Sequence, residues 1–170
     1  YATSWPSNVL TEFKIKGVFL LPEVRLTGIL DKVEFLTSQP EVNVVDYKTR
    51  RPMSRREIEG ATAGATGNYL RQLVFYKLLL DRYEQGRYQM TSGEIDFLEP
   101  GLGGRYRKEK FAITENQVQD LEKLIQSVTG EILSLSFWSK RCRNKDCVYC
   151  SFRELMPEGK SARHLVSLSD

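Results

Sequence analysis

Residues 42–49, reading Val-Asn-Val-Val-Asp-Tyr-Lys-Thr, constrain this chain more than any other stretch. Val42, Val44 and Val45 are β-branched and predict a strand. Side chains of a strand alternate between faces, so Val42, Val44, Asp46 and Lys48 share one side. That side opens apolar and closes with a carboxylate and an ammonium, which puts two charges at the rim of a core. A cross-strand ion pair on a wet surface would account for them, at about 0.2–1 kcal/mol. So would a metal ligand beside a positioned cation, the pair of groups that phosphodiester hydrolysis requires.

The neighbouring segments bear on this choice. Residues 12–21 alternate Phe13, Ile15 and Phe19 against Glu12, Lys14 and Lys16, the pattern of a half-buried strand. Leu21, Pro22 and Glu23 make a turn, and alternation resumes over 24–36, so the two stretches predict an antiparallel hairpin. On its second strand Ile29, Asp31, Val33 and Phe35 face one way, which sets Asp31 among apolar neighbours on the core side. An ionised carboxylate buried alone is expensive, so Asp31 is expected to be paired, protonated or metal-bound. Gly28 leaves room there for close backbone approach. A turn over 37–41 then leads into the 42–49 strand, so Asp31 and Asp46 fall near corresponding ends and can meet at one point.

Beyond Lys48, Arg50, Arg51, Arg55 and Arg56 read either as a solvated loop or as a phosphate-gripping rim. The small residues of 60–67 predict a mobile loop. Asn68 is expected to cap a helix over 69–85, with Gly86 just past its end. Leu70, Leu73, Val74, Phe75, Leu78, Leu79 and Leu80 make that helix apolar round most of its circumference, hence deeply packed. Gln72 and Tyr76 stack on one of its faces. A Gln in so apolar a helix needs a partner, either a backbone group or the rim of the site.

Residues 88–98 and 105–113 predict a second hairpin. Glu94 and Asp96 share a face there, to be neutralised at a solvated edge by Arg105, Arg107, Lys108 and Lys110. Thr114 and Gln117 form a capping box ahead of a helix carrying Val118, Leu121, Ile125, Val128, Ile132 and Leu135. That spacing predicts one buried face packed in the core.

Cys142, Cys147 and Cys150 crowd together at the far end. An odd, close set argues against a disulfide scaffold and for a reducing, cytoplasmic compartment or a metal. The spacing is that of thiolate ligands to iron–sulfur or zinc centres, with plain reduced thiols the alternative. His164, the chain's one histidine, could complete a zinc site, but it lies in residues 157–170, expected to be a loosely held polar tail. No apolar run approaches the roughly 20 residues of a membrane span, so no membrane partner is expected. The net charge of +3 names no partner by itself. With no initiating Met and a strand almost at once, the chain is expected to be a piece of something longer.

Gly28-x-x-Asp31, then Val45-Asp-Tyr-Lys-Thr49, then Gln72-x-x-x-Tyr76 resembles the RecB-type branch of the PD-(D/E)XK nuclease superfamily. The closest likeness is to the C-terminal nuclease domain of UvrD/Rep-type superfamily 1 helicases. The resemblance implies an α/β fold over residues 1–156, a mixed central β-sheet flanked by α-helices (a restriction-endonuclease-like core), lacking its N-terminal helical part. It implies that Asp31, Asp46 and the backbone carbonyl of Tyr47 bind Mg²⁺ or Mn²⁺, and that Lys48 orients the attacking water and stabilises phosphate charge. Gln72 and Tyr76 would position the water, the lysine or the DNA backbone, and Arg50, Arg51, Arg55 and Arg56 would hold DNA. The implied partners are DNA and the helicase domains of the same longer chain. The implied activity is a deoxyribonuclease, more an exonuclease than an endonuclease, serving recombination or repair.

Family members usually carry a His on a helix upstream of the first strand, and those with a 4Fe–4S cluster take their first Cys from that region. Neither is present here. A missing N-terminal part accounts for both, and the full-length protein could then hold such a cluster through Cys142, Cys147 and Cys150. A degenerate relative, a catalytically inactive DNA-binding module of a helicase, would show the same gaps.

Overall fold

The alternating stretches become five strands of one mixed sheet, ordered β1-β2-β3-β4-β5. They are β1 (Val9–Leu21), β2 (Val24–Phe35), β3 (Glu41–Lys48), β4 (Gln89–Phe97) and β5 (Arg107–Ala112). Every neighbouring pair is antiparallel except β3 and β4. A parallel neighbour cannot be reached by a tight turn. The crossover carries α1 (Arg55–Ile58) and α2 (Asn68–Arg82); α3 (Glu115–Leu133) and α4 (Val148–Glu154) follow the sheet. The computed structural model describes residues 8–36, 40–144 and 146–154, so the expected polar tail with His164 lies outside the described residues. These residues fall into two compact units, divided between Thr129 and Gly130. The expected mixed sheet flanked by helices is the architecture that forms.

Helix α2 lies against β1, β2, β3 and β4. Leu73, Leu78, Leu79 and Leu80 are fully buried, each worth about 1.5–3 kcal/mol. Two strand glycines admit the helix this closely. A Cβ on Gly28 would come within 2.5 Å of Leu79 Cδ1, and one on Gly93 within 3.0 Å of Leu73 Cδ2. The depth of α2, and with it the reach of Gln72 and Tyr76, is thus set by two absent side chains. The cap differs from expectation. Gly67, at φ 66°, is the N-cap, and Asn68 is the first helical residue; its Oδ1 accepts from Arg71 Nη1 at 2.8 Å.

Alternation in the first hairpin breaks at two places that periodicity does not show. The β1–β2 register slips between Ile15 and Val18, where Gly17 takes φ 78°. A bulge of this kind shifts the phase by one residue. Val18 therefore turns inward, while Phe19, expected inward, is exposed. A second break falls at Glu12, with φ 50°, between the pairs Thr11↔Lys32 and Phe13↔Leu30. Gly28 lies under α2, yet Val33 is on that same side, because it pairs with Val44 two residues before Asp46. The irregularity opposite Asp31 reconciles the two, and it leaves Ile29, expected beside Asp31 on the core side, exposed.

The connection over residues 49–67 is better ordered than its composition suggests. Ser54 and Glu57 form a capping box on α1: Ser54 N donates to Glu57 Oε2 (2.7 Å) and Glu57 N to Ser54 Oγ (3.3 Å). Ile58 is buried. Gly60 closes against Gly67, whose N would sit 2.9 Å from an added Cβ. The Ser-x-x-Glu signal was present in the sequence, though shadowed by the arginines around it.

Helix α3 begins at the expected box, where Thr114 N donates to Gln117 Oε1 at 2.9 Å. Its apolar stripe is only partly used. Val118 and Leu121 are buried, whereas Val128 and Ile132 are exposed, as is Leu135 beyond its end. Spacing identifies an amphipathic stripe but not how much of its length meets a partner.

The sheet face away from α2 is polar and tightly paired. Lys32 Nζ lies 2.7 Å from Glu34 Oε1, and Asn43 Nδ2 donates to Glu34 Oε2 (2.8 Å). Ser92 Oγ donates to Asn43 Oδ1 (2.8 Å). One strand further on, Lys108 bridges Asp96 (2.7 Å) and Glu94 (3.3 Å). The expected neutralisation of this carboxylate pair is therefore present, but not at a solvated edge. Strand β4 is interior and Asp96 is 1% exposed. Arg107 instead pairs with Glu109 beside it.

Candidate active site

Strand β3 carries Asp46 and Lys48 to its end on the α2 side, as alternation requires. Continuing the β2–β3 register one step beyond Lys32↔Val45 sets Asp31 opposite Asp46. Asp31 Oδ2 accepts the backbone N–H of Tyr47 at 2.8 Å, which ties the β2 carboxylate to β3 beside Asp46. The Tyr47 ring turns to the polar face, with the Lys32 ammonium 5.7 Å from its centroid.

From α2, Gln72 joins the two charges of β3. Its Nε2 donates to Asp46 Oδ1 (2.8 Å) and to Tyr76 Oη (2.7 Å), and its Oε1 accepts from Lys48 Nζ (2.8 Å). The Tyr76 hydroxyl in turn donates to Asp46 Oδ1 at 3.0 Å. Of the alternatives open for Gln72, the site rim is the one realised. Asp46 Oδ2 is in an ion pair with the Lys48 ammonium, which stands against it at 2.5 Å.

The electrostatics follow from burial. Asp46 is 2% exposed, and desolvation pushes its carboxyl above the usual carboxylate range, outweighing Lys48 and Tyr76. The negative charge of Asp31 adds to the rise. Burial, then the negative Asp46, push the Tyr76 hydroxyl well up, so it is a proton donor at any ordinary pH. A buried carboxylate and a half-buried one opposite it on the next strand are hard oxygen donors of the kind a divalent ion takes.

Tyr69 is the residue that sequence reasoning missed. The Lys48 ammonium lies 4.6 Å from its ring centroid, and Arg50 Nη1 donates to its hydroxyl at 3.4 Å. It stands three residues before Gln72 and seven before Tyr76, so all three follow one line along α2. That helical spacing was the available signal. All four arginines, Arg50, Arg51, Arg55 and Arg56, are exposed. Arg55 is taken up within the fold: it lies 4.1 Å over the Phe111 ring, donates to Lys110 O (2.9 Å) and pairs with Glu59 (3.1 Å). It pins α1 to β5.

In the second unit the Sγ atoms of Cys142, Cys147 and Cys150 all lie within 4.8 Å of one another, and those of Cys142 and Cys150 are 3.5 Å apart. Hydrogen bonding, led by the backbone at Cys150, holds the Cys147 thiol below its usual range, and contact with the other thiols raises that of Cys142. Three gathered sulfur donors fit a thiophilic metal or cluster, with no fourth ligand among the described residues.

The profile of the PD-(D/E)XK nuclease superfamily matches residues 3–155, and the chain belongs to that superfamily. Its nucleases generally use divalent metal ions. Solved structures of similar fold include a protein titled "Putative exonuclease" from Eubacterium rectale, with TM-score 0.54 and 12% identity over 96% of this chain. Another is the protein designated SSO0001, with TM-score 0.48 and 15% identity over 88% of this chain. The chain spans 59% and 60% of those two proteins respectively. No curated protein sequence matches it.

Proposed function

We propose that this chain is the Mg²⁺- or Mn²⁺-dependent deoxyribonuclease domain of a RecB-type helicase–nuclease of the UvrD/Rep kind, acting on DNA during recombination or repair, with exonuclease action favoured. One observation carries the reading. A carboxylate buried to 2% exposure holds one oxygen against the ammonium of a lysine two residues along its own strand, while a second carboxylate, Asp31, is set opposite it on the next strand. Two like charges brought to one buried point are costly unless a cation is shared between them.

Asp31, Asp46 and the Tyr47 carbonyl would hold the ion, which when bound supplies Lewis acidity toward a phosphoryl oxygen. Lys48 is placed to orient the attacking water and to offset charge gathering on the phosphate. Gln72 fixes the lysine and the carboxylate to each other through one amide, so neither has to search for its position. Tyr76 donates to the carboxylate from the buried side. Arg50, Arg51 and Arg56 lie just past Lys48 in sequence and suit phosphate contacts beside the site. Cys142, Cys147 and Cys150 would ligate a 4Fe–4S cluster in the full-length protein.

The test is hydrolysis of end-labelled single- and double-stranded DNA with Mg²⁺ or Mn²⁺. Lys48→Ala should abolish cutting by the molecules that remain folded. DNA binding by the wild type with no cutting in Mn²⁺ at high enzyme concentration would instead establish a catalytically inactive DNA-binding module.

A further inference from the structure

We infer that the outer face of the β1–β2 hairpin is a binding track for single-stranded nucleic acid, running along β2 away from Asp31. This rests on the nuclease reading and adds to it the form of the substrate and where its strand lies.

Strand β2 pairs with β3 only from Lys32 to Phe35, but with β1 from Val24 to Glu34. Residues 24–31 and their partners on β1 therefore extend past β3 as a two-stranded ribbon. Its inner side is sealed under α2, where Ile15 is fully buried and Gly28 meets Leu79. Its outer side carries Lys14, Lys16 and Phe19 on β1, and Arg25, Thr27 and Ile29 on β2. Lys14 pairs across with Ile29, and Phe19 with Arg25. The bulge at Gly17 builds this surface: it turns Phe19 outward and leaves a gap over which Arg25 lies, with Nη2 3.4 Å from the place of an absent Cβ.

The five residues other than Phe19 line most of a groove of about 410 Å³, and no carboxylate lines it. Among the described residues, none of Lys14, Lys16 and Arg25 is in an ion pair, whereas Lys32, Lys48, Lys77, Arg82 and Lys108 each hold one. Three like charges on one ribbon face repel, and a shared polyanion relieves them. Each end of the face sets an exposed apolar side chain across from a cation: Ile29, 49% exposed, opposite Lys14, and Phe19, 59% exposed, opposite Arg25. Cations beside an aromatic ring open to a base suit a strand whose bases are unstacked; a duplex hides its base faces. Ile29 is two residues from Asp31, roughly 7 Å along the strand, and Arg25 is roughly 20 Å away, so the track leads up to the end of β3, where a strand passing the unpaired edge of the ribbon turns to Asp31 and Asp46 on the α2 side.

Binding is measured by fluorescence anisotropy without divalent ion, using a labelled oligo(dT) of about twenty nucleotides. The triple variant Lys14→Gln, Lys16→Gln, Arg25→Gln should bind about tenfold more weakly at about 0.1 M salt, with a log–log salt slope shallower by about 2, from three phosphate contacts at roughly 0.7 each. Lys14→Arg with Lys16→Arg should keep the wild-type slope. Phe19→Ser with Ile29→Ser should weaken binding without moving the slope. Hydrolysis of bis(p-nitrophenyl) phosphate in Mn²⁺, which has no strand to hold, should be unchanged in all of them.

A triple variant with wild-type affinity and slope, at an unchanged urea midpoint, overturns the track. Equal loss on a blunt duplex overturns its assignment to single strands. Failure of the nuclease reading shows separately, as hydrolysis that is absent or indifferent to Lys48→Ala while the anisotropy results stand.

Discussion

Asp46 and Asp96 lie on adjacent strands, one register step apart, at 2% and 1% exposure, and on opposite faces of the sheet. Asp96 meets Lys108 at 2.7 Å within a face where Lys32, Glu34, Asn43 and Ser92 also satisfy one another. Asp46 takes two hydrogen bonds on one oxygen and the Lys48 ammonium on the other, at 2.5 Å, with the Asp31 carboxylate set opposite it. The titration directions part accordingly. Although burial opposes it, hydrogen bonding to Lys32 and Asn43 holds the Glu34 carboxyl below its usual range, whereas burial lifts that of Asp46. Buried charge is thus no sign of a site. What marks a candidate is buried charge with a like charge brought up beside it.

The largest effect that could break this comparison is catalytic. Asp46→Asn and Lys48→Ala should each lower DNA hydrolysis per folded molecule by at least about 10²–10³-fold, and Asp46→Asn, which removes a desolvated charge, should keep a urea midpoint near wild type. Stability should respond on the other face. Glu34→Ala removes the carboxylate from the Lys32 ammonium, which is 4% exposed, and should cost about 2–3 kcal/mol in chemical denaturation, below the roughly 3–5 kcal/mol of a fully enclosed pair because the Glu34 side chain keeps 22% exposure. Hydrolysis per folded molecule should be unchanged.

Acid separates the two faces by sign. The Glu34 pKa is lowered by folding, so its contribution is complete above the usual 4.5 and is lost as pH falls through the folded value. Wild type should therefore lose its advantage over Glu34→Gln on acidification. The Asp46 pKa is raised, so the fold prefers the protonated form. Relative to Asp46→Asn, wild type should gain stability as pH falls through the raised value toward 3.8. Denaturation midpoints across that range should show the two difference curves sloping oppositely.

The smallest effect concerns Tyr69. A cation–π contact of about 1 kcal/mol steadying Lys48 predicts a roughly fivefold fall in kcat for Tyr69→Leu, largely restored by Tyr69→Phe. Equal rates for all three would show that Gln72 alone orients the lysine.

Much of the site was legible because its chemistry is written in short-range patterns. Alternation put Asp46 and Lys48 on one side of a strand, and helical spacing put Gln72 and Tyr76 on one line. Phe19 and Ile29 were misplaced because two breaks in β1 flip the phase, and positive φ at Glu12 or Gly17 is a property of the paired hairpin. Tyr69 was passed over because its role needs the lysine of another strand beneath it. The C-terminal half of α3 carries a core-like stripe that stays exposed among the described residues, since periodicity records what a helix could cover and no more.

The connection from Lys48 to α2 has its own footings: the Ser54–Glu57 box, buried Ile58, Arg55 on Phe111 and the neck at Gly60 and Gly67. Lys48 and Gln72, at either end of it, are held by the sheet and α2. Such an insert behaves as a cassette. On the proposed function, exchanging its exposed residues would retune which DNA is gripped while the groups proposed to react keep their spacing.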